Sequence, residues 1–586
     1  MRTVAVDTDI LILGGGAAGC YAALSAAARP GMRIMIAEKA HISRSGCLAA
    51  GINAINAHIG RGHCPDDYVD YAEKDAAGIA RGDLLASMAG RLNKTVRTLE
   101  KLGLVVHKDA DGRYAERGWR NVRVNGENIK PLLAAAVQKR DQVRVLNRVN
   151  IVSILIDDGR AIGAVGFGTT EAVCYVLRAA AIICATGGAA GLYSPNSPGF
   201  AGHCMWYPPF NTGAGYAMGI LAGAEMTTLE MRFVALRCKG SIAPTGTLAQ
   251  GLGAAQINSR GENYENRYGT MTAQRVYGTL RENLEGRGPC RLHAGNLTRP
   301  QVEDIYRAYL NMAPAQTLKW LEEEQKDRGE REEGGERGGW QEGKGRDEGS
   351  CFLAAEIEGT EPYLVGGHAA CGYWVDSRRA TTVPGLFAAG DAAGGCPQKY
   401  ASGAMAEAEI AAEAALEYAL EHPLGRCRAL SASGAAVAEA RGFLLRREEK
   451  GKVPFEAGQL EEAMQQAMDR YAGGISAAYR FNEAQLAVAA ERIGEITFLS
   501  GSLGARDMRG LLRIHELRER LVVCRSLIAH LGARRETRWP GFAEHTDYPG
   551  ADEAWRLHVN SRLQDGRIRV MFRDLVGRRE VYEHRA

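Results

Sequence analysis

Residues 7–38 constrain this chain more than any other stretch. The apolar run at 10–13 reads as a buried parallel strand; it stops at Gly14-Gly15-Gly16-Ala17-Ala18-Gly19, and an alanine-rich helix follows. A second apolar run, 34–37, ends in Glu38. The six residues fit the spacing G-x-G-x-x-G, and each glycine has a task. Gly14 permits a tight turn, Gly16 lets the backbone approach a pyrophosphate, and Gly19 lets helix and strand pack closely. The helix N-terminus adds free N–H groups and the positive end of its dipole. Glu38 stands where a carboxylate can accept from both ribose hydroxyls, and Ala17, Ala18 and Lys39 count with it as cofactor-binding positions. Strand, glycines, helix, second strand and acid describe a dinucleotide site in a Rossmann-like α/β fold.

At 586 residues the chain should divide into more than one domain. Its 72 basic and 69 acidic residues nearly balance, so the overall charge gives no sign of a nucleic-acid partner. Thirteen cysteines stand singly with no C-x-x-C, which points to reduced thiols in a cytoplasmic compartment and away from a metal or iron–sulfur cluster held by this chain alone. The first strand starts so soon after Met1 that no signal peptide is expected. No apolar stretch approaches the ~20 residues that span a bilayer, so no transmembrane segment is expected.

Small residues dominate 41–56, including Ser45, Gly46, Gly51 and Asn56, as expected where backbone lies against a flat ligand. Residues 66–105 read as helices and 121–131 as a loop leading into another helix. Runs at 143–146, 149–156 and 161–167 are strand-like, with Asp157-Asp158-Gly159 as a hairpin turn. A buried strand at 179–185 ends in Ala185-Thr186-Gly187-Gly188. From 202 to 361 the pattern changes to a mixed region inserted into the dinucleotide fold. Within it, 322–349 is almost wholly Glu, Gly, Arg, Lys, Asp and Gln; such a segment cannot bury a core and should form a mobile surface loop. A strand near 383–391 ends in Gly390-Asp391. Residues 423–545 read as helical, with apolar positions at helical spacing in 486–496 and 511–531, and a tail, 546–586, closes the chain.

Several of these stretches resemble the flavoproteins of the succinate dehydrogenase and fumarate reductase superfamily. The run from Arg44-Ser45 to Gly51-Ile52-Asn53-Ala54 is similar to the segment those proteins lay beside an isoalloxazine ring. Ala185 to Gly188 resembles a second FAD contact, and Gly390-Asp391 the last one, where the acid binds the ribityl chain; Ser402 and Gly403 would then supply N–H groups to the pyrimidine edge. The resemblance implies an FAD-binding domain made of 1–201 and 362–422, an inserted α+β capping domain at 202–361, a helical domain at 423–545 and the tail. In the membrane-complex members a histidine follows the serine and is bonded to FAD. Gly46 takes that place here, so FAD should be held non-covalently.

Dicarboxylate members carry a proton-delivering arginine and a glutamate where this chain has Gln250 and Leu252, and a His-Pro-Thr-Gly element whose histidine is missing from the Ile242-Ala243-Pro244-Thr245-Gly246 found here. Fumarate reduction by the usual route is therefore not expected. The spacing Arg237-x-Lys239 before Pro244-x-Gly246, the stretch from Trp206 to Tyr216, Gly366-x-His368 with Gly372-x-Trp374, and 535–541 with 546–549 resemble instead the alpha subunits of adenylylsulfate reductases over most of the chain. That implies reduction of adenylylsulfate to sulfite and AMP, or the reverse, with flavin N5 attacking sulfur and electrons from a ferredoxin-like beta subunit carrying two 4Fe–4S clusters. It also marks Arg237 and His368 as substrate contacts, Asn56 and Glu127 as polar residues at flavin and substrate, and Trp206 as a relay toward the partner's nearer cluster. A forked cation suits the concentrated charge of sulfate and phosphate. Two other readings stay open: a soluble fumarate reductase or L-aspartate oxidase-like enzyme with a rearranged proton path, and an FAD electron-transfer subunit without sulfur chemistry.

Overall fold

Strand β1 (Arg2–Leu13) is fully buried from Ile10 to Leu13, as befits the inner strand of a parallel sheet with helices on both faces. The computed structural model describes the chain apart from residues 60–61, 197–204, 242–243, 247–248, 294–296, 313–316, 319–355, 426–428, 446–454 and 585–586. The expected surface loop at 322–349 lies outside the described residues. After β1 come α1 (Ala17–Ala26), β2 (Ile34–Glu38), β3 (Ala54–Asn56), α2 (Pro65–Asp75), α3 (Gly82–Leu102), β4 (Val105–Val106) and β5 (Asn121–Asn125). Then follow α4 (Ile129–Gln138), β6 (Val143–Asn147), β7 (Val149–Asp157), β8 (Arg160–Gly168) and β9 (Val173–Cys184).

The main sheet runs β6-β2-β1-β9-β8-β7, and the short strand Leu386–Ala388 also pairs with β9. β6, β2, β1, β9 and Leu386–Ala388 are parallel, whereas β7, β8 and β9 form an antiparallel flank. The chain leaves β1 toward β2 on one side and returns as β9 on the other. The carboxyl end of β1 is thus a topological switch point, where sheets of this class take their ligands. The fold is the expected α/β class: a Rossmann-like sheet, a mixed region beyond it and helices toward the C-terminus.

Two expectations need correction. Residues 121–125 are not loop: β5 pairs with β3, Asn56 opposite Asn121, and with β4. Partners of two and three residues are too short to leave a period in the sequence. Strand β9 begins at Val173, ahead of the expected 179, because its first half pairs with the exposed start of β1.

Toward the C-terminus, helices Ala457–Tyr471, Glu483–Ser500 and Met508–Ala533 pack on one another. Asn482 and Asp507 cap the last two, accepting from the N–H groups of Gln485 and Gly510 at 2.7 Å each. The tail is built into the body. Strands His558–Gln564 and Arg567–Arg573 form a hairpin whose first strand pairs with Met226–Thr227, itself paired with Gly372–Tyr373. Farther on, Tyr582 and Trp374 hold the fully buried Arg81 guanidinium between them, 4.6 and 4.4 Å from the ring centroids.

Candidate active site

A cavity of about 950 Å³ opens at the carboxyl end of β1. One end is a glycine cradle. Gly14 has φ +94°, and a Cβ there would meet the Ala185 carbonyl oxygen at 2.6 Å; a Cβ on Gly19 would meet the Gly14 carbonyl oxygen at 1.9 Å. Gly16 is different: a Cβ there meets nothing within 4 Å, and the residue lines the cavity. Two glycines are required by the protein's own packing, and the third leaves room for something outside it. Glu38 is oriented by backbone: its oxygens accept from the N–H groups of Gly15 at 2.7 Å and Ala40 at 2.8 Å. Lys39 pairs with Glu516 at 2.9 Å and donates to the Phe210 carbonyl at 2.5 Å beside it.

The opposite side of the cradle is closed by the turn at Asp391. Lys399 donates to the carbonyls of Gly390 and Ala393 and pairs with the buried Glu407 at 2.8 Å, tying that turn to helix Tyr400–Glu421. Asp391 accepts from the Tyr207 hydroxyl at 2.7 Å, and burial pushes its carboxyl above the usual range. Gly14, Gly16, Ala17, Ala18, Glu38, Lys39, Gly46, Gly51, Ala185, Thr186, Gly187 and Asp391 all line this cavity. Gly19, Ser45, Gly188, Ser402 and Gly403 stand behind it. The Ser402 hydroxyl donates to the Asn56 carbonyl at 2.7 Å and that of Ser45 to the Gly15 carbonyl at 3.3 Å, while Gly403 makes room for Met88 and Lys399. An open face at Gly16, an acid fixed at the ribose position and walls of glycine and alanine fit FAD.

Beyond the cradle the walls turn aromatic and cationic. His368 lies edge-on to Trp206 at 5.0 Å, against Phe233 at 4.5 Å and Tyr400 at 4.7 Å. Burial pushes its imidazole down to about 3, and its Nδ1 is buried without a partner. It is therefore neutral at ordinary pH. Asn56 donates to the Tyr68 hydroxyl at 2.5 Å from the end of β3. Tyr68, Tyr71 and Asp75 share one face of α2 at helical spacing. Asp75 accepts from the Thr272 N–H at 3.0 Å, fixing the start of helix Thr272–Leu284 and, on its first turn, Arg275. Arg275 pairs with Glu265 at 2.8 Å. It also donates to the Gln250 side-chain oxygen at 3.4 Å, while the Gln250 amide nitrogen is buried without a partner.

Asn56, Trp206 and His368 share the cavity wall. Arg237 and Glu127 do not line it. Arg237 is 1% exposed, paired with Glu358 at 3.1 Å and donating to Asn196. The partner residue lies on Ile357–Gly359, the strand opposite Arg237, more than a hundred residues away in sequence. Glu127 is exposed, with its backbone against Gly51. Among the described residues, the cations that line the cavity besides Lys39 are Arg120 and Arg275, neither singled out from sequence. The only signals for them were local: an arginine next to Trp119, and one just after Thr272 at a helix start.

A glycine cradle at a switch point with a polar cavity beside it defines an FAD-dependent oxidoreductase. Residues 9–406 match the FAD binding domain family. The adenylylsulfate reductase subunit alpha of Megalodesulfovibrio gigas is 30% identical over 95% of this chain and 93% of its own length. The adenylylsulfate reductase structure of Archaeoglobus fulgidus superposes with a TM-score of 0.88 at 31% identity, covering 99% of this chain and 98% of that one. The Escherichia coli quinol fumarate reductase shares the fold alone, with a TM-score of 0.77 at 18% identity over 98% of this chain and 97% of its own. The chain belongs to the FAD binding domain family and, within it, to the adenylylsulfate reductase alpha subunits. Among the described residues, no helix is long and apolar enough to cross a membrane.

Proposed function

We propose that the chain reduces adenylylsulfate to sulfite and AMP, or runs the reverse reaction, at a non-covalently held FAD. The likeness to adenylylsulfate reductases over nearly its whole length, in sequence and in structure, carries this reading. FAD supplies two electrons and a reacting ring nitrogen; the cradle residues from Gly14 to Glu38 and Asp391 would hold it. The chain's own groups do the rest. Asn56, Trp206 and His368 line the space next to the flavin position. A neutral His368 can accept or donate a single hydrogen bond through Nδ1 without adding a fixed charge. Arg275 brings a guanidinium, held by Glu265 and Gln250, toward an anionic substrate. Arg237, locked to Glu358, would act by fixing that part of the wall, and Glu127 by supporting Gly51. Gln250 cannot relay a proton at neutral pH, which weighs against fumarate chemistry.

The electron source in this reading is a ferredoxin-like beta subunit with two 4Fe–4S clusters, reached through Trp206, whose ring packs on His368, Phe233 and Tyr363. A cytoplasmic setting agrees with the free thiols of all ten described cysteines. The domain limits proposed above, with a cap at 202–361, complete the reading. The FAD-loaded protein should reduce ferricyanide when given sulfite and AMP together, and not when given succinate. Succinate-dependent reduction with no response to sulfite and AMP would favour the dicarboxylate reading. Silence with both, with bound FAD and an iron–sulfur partner present, would favour a pure electron-transfer role.

A further inference from the structure

Three arginines recur at 117, 120 and 123 on the approach to β5 and within it. The outer two share one carboxylate: Arg117 and Arg123 pair with Asp304 at 3.2 and 3.0 Å. Arg120 has no such partner among the described residues. Its backbone carbonyl accepts from Ala57 at 2.9 Å, next to the Asn56–Asn121 pair, and its side chain enters the cavity. The guanidinium carbon lies 3.3 Å from the centroid of the Tyr71 ring and 5.3 Å from that of Trp119. Its Nε is buried with no hydrogen-bond partner.

That combination is uncommon in a resting protein. A buried guanidinium nitrogen is normally met by a carboxylate or carbonyl, because an unmet donor costs desolvation without return. Stacking on Tyr71 fixes the plane of the fork and leaves Nε without a partner. The residue lies between a deep and an outer wall. Tyr68, Tyr400 and His368 mark the inner side, near Asn56 and the flavin position. Trp119, 41% exposed and edge-on to Tyr71 at 6.0 Å, marks the outer side.

We propose that Arg120 binds, with its guanidinium, the phosphate of the substrate's nucleotide half, the group released as an AMP-type phosphate monoester. This inference rests on the activity proposed above and adds a contact to it. The planar fork, already oriented by Tyr71, makes charge-assisted hydrogen bonds to phosphate oxygens. Tyr71 and Trp119 supply the apolar border of the same subsite.

The test compares Arg120→Gln and Arg120→Lys with the unchanged protein, all FAD-loaded. Three dissociation constants are measured by flavin absorbance: AMP, adenosine, and sulfite alone, which is read as bleaching of the flavin band. Arg120→Gln should weaken AMP about 30-fold, the loss of one charge-assisted contact in a dry site. Adenosine and sulfite should stay within about threefold, and FAD content should not change. Arg120→Lys should recover only part of the AMP affinity, since it gives a point charge without the fork. Equal weakening of AMP and adenosine would refute the proposal, making Arg120 a prop for the aromatic wall. Unchanged AMP binding would refute it as well, and so would a loss confined to sulfite. If the unchanged protein bound neither AMP nor sulfite, the activity reading would fail first, a result distinct from an Arg120 variant that still binds AMP.

Discussion

Two alanine substitutions one turn apart should separate the roles of the glycines around α1. At Gly19 the new methyl would sit 1.9 Å from the Gly14 carbonyl oxygen, against an ordinary contact of roughly 3.5 Å. The obstacle is backbone, so the start of α1 must move off β1 by over an ångström. Overpacking of this kind costs about 1–3 kcal/mol, and a fixed strand-turn-helix places Gly19→Ala toward the upper end. The free N–H groups of α1 move away from the phosphates at the same time, so FAD affinity should drop about 100-fold, with a clear fall in apoprotein Tm. Gly16→Ala should behave differently. Its methyl meets nothing within 4 Å and stands in the cavity, so apoprotein stability should change by no more than about 0.5 kcal/mol. FAD affinity should still fall by at least about 10-fold, because the methyl occupies the space over which the pyrophosphate would lie. Apoprotein Tm together with FAD titration by fluorescence quenching reads both effects. A Gly16→Ala protein that takes up FAD as the unchanged one does would refute this account of the turn.

Other consequences can be checked alongside. Glu38→Gln replaces an oxygen that accepts from Gly15 or Ala40 with an NH₂ group that cannot; it should cost about 2 kcal/mol of FAD binding, measured by the same titration. Denaturation in acid should release all flavin into the supernatant, given Gly46 after Ser45; flavin left on peptides after digestion would contradict non-covalent binding. His515, 5% exposed between Phe167 and Phe443, is held neutral down to about 3. The unfolded chain takes up that proton below about 6.5 and the folded one does not, so the stability this residue contributes is present above 6.5 and drains away as pH falls. His515→Phe should therefore lose about 2 kcal/mol less than the unchanged protein between pH 7.5 and 5, seen as a smaller drop in Tm; equal drops would show that His515 can charge in place.

The dinucleotide half of the fold was legible because its signals are local. An apolar strand, three glycines, a helix and an acid lie within 32 consecutive residues, and each is forced by backbone geometry or by the ligand's charge. The cavity beyond it was legible only in part. Asn56, Trp206 and His368 lie in small-residue or aromatic stretches, and the chain places them on one wall. Arg237 could not be placed from sequence, because Glu358, with which it pairs, stands on a strand at the far end of the inserted region. Arg120 and Arg275 were missed for a related reason. One is oriented by Tyr71 of α2, and the other by a helix start fixed through Asp75. The pairing of the tail was not legible either. The alternating Ile568-Arg569-Val570-Met571-Phe572 lies on the outer strand of a hairpin whose partners are near 226 and 372, too distant for any window of sequence to connect.

The central claim is sulfur chemistry on an adenosine-linked substrate at FAD, and a single anaerobic turnover addresses it most directly. The protein, its FAD fully reduced photochemically and with no partner added, is mixed with one equivalent of adenylylsulfate. The flavin spectrum is followed while sulfite and AMP are quantified. The account predicts reoxidation of the flavin with one sulfite and one AMP formed per FAD, and no reoxidation by fumarate under the same conditions. A flavin that stays reduced with adenylylsulfate while fumarate reoxidises it would contradict the account.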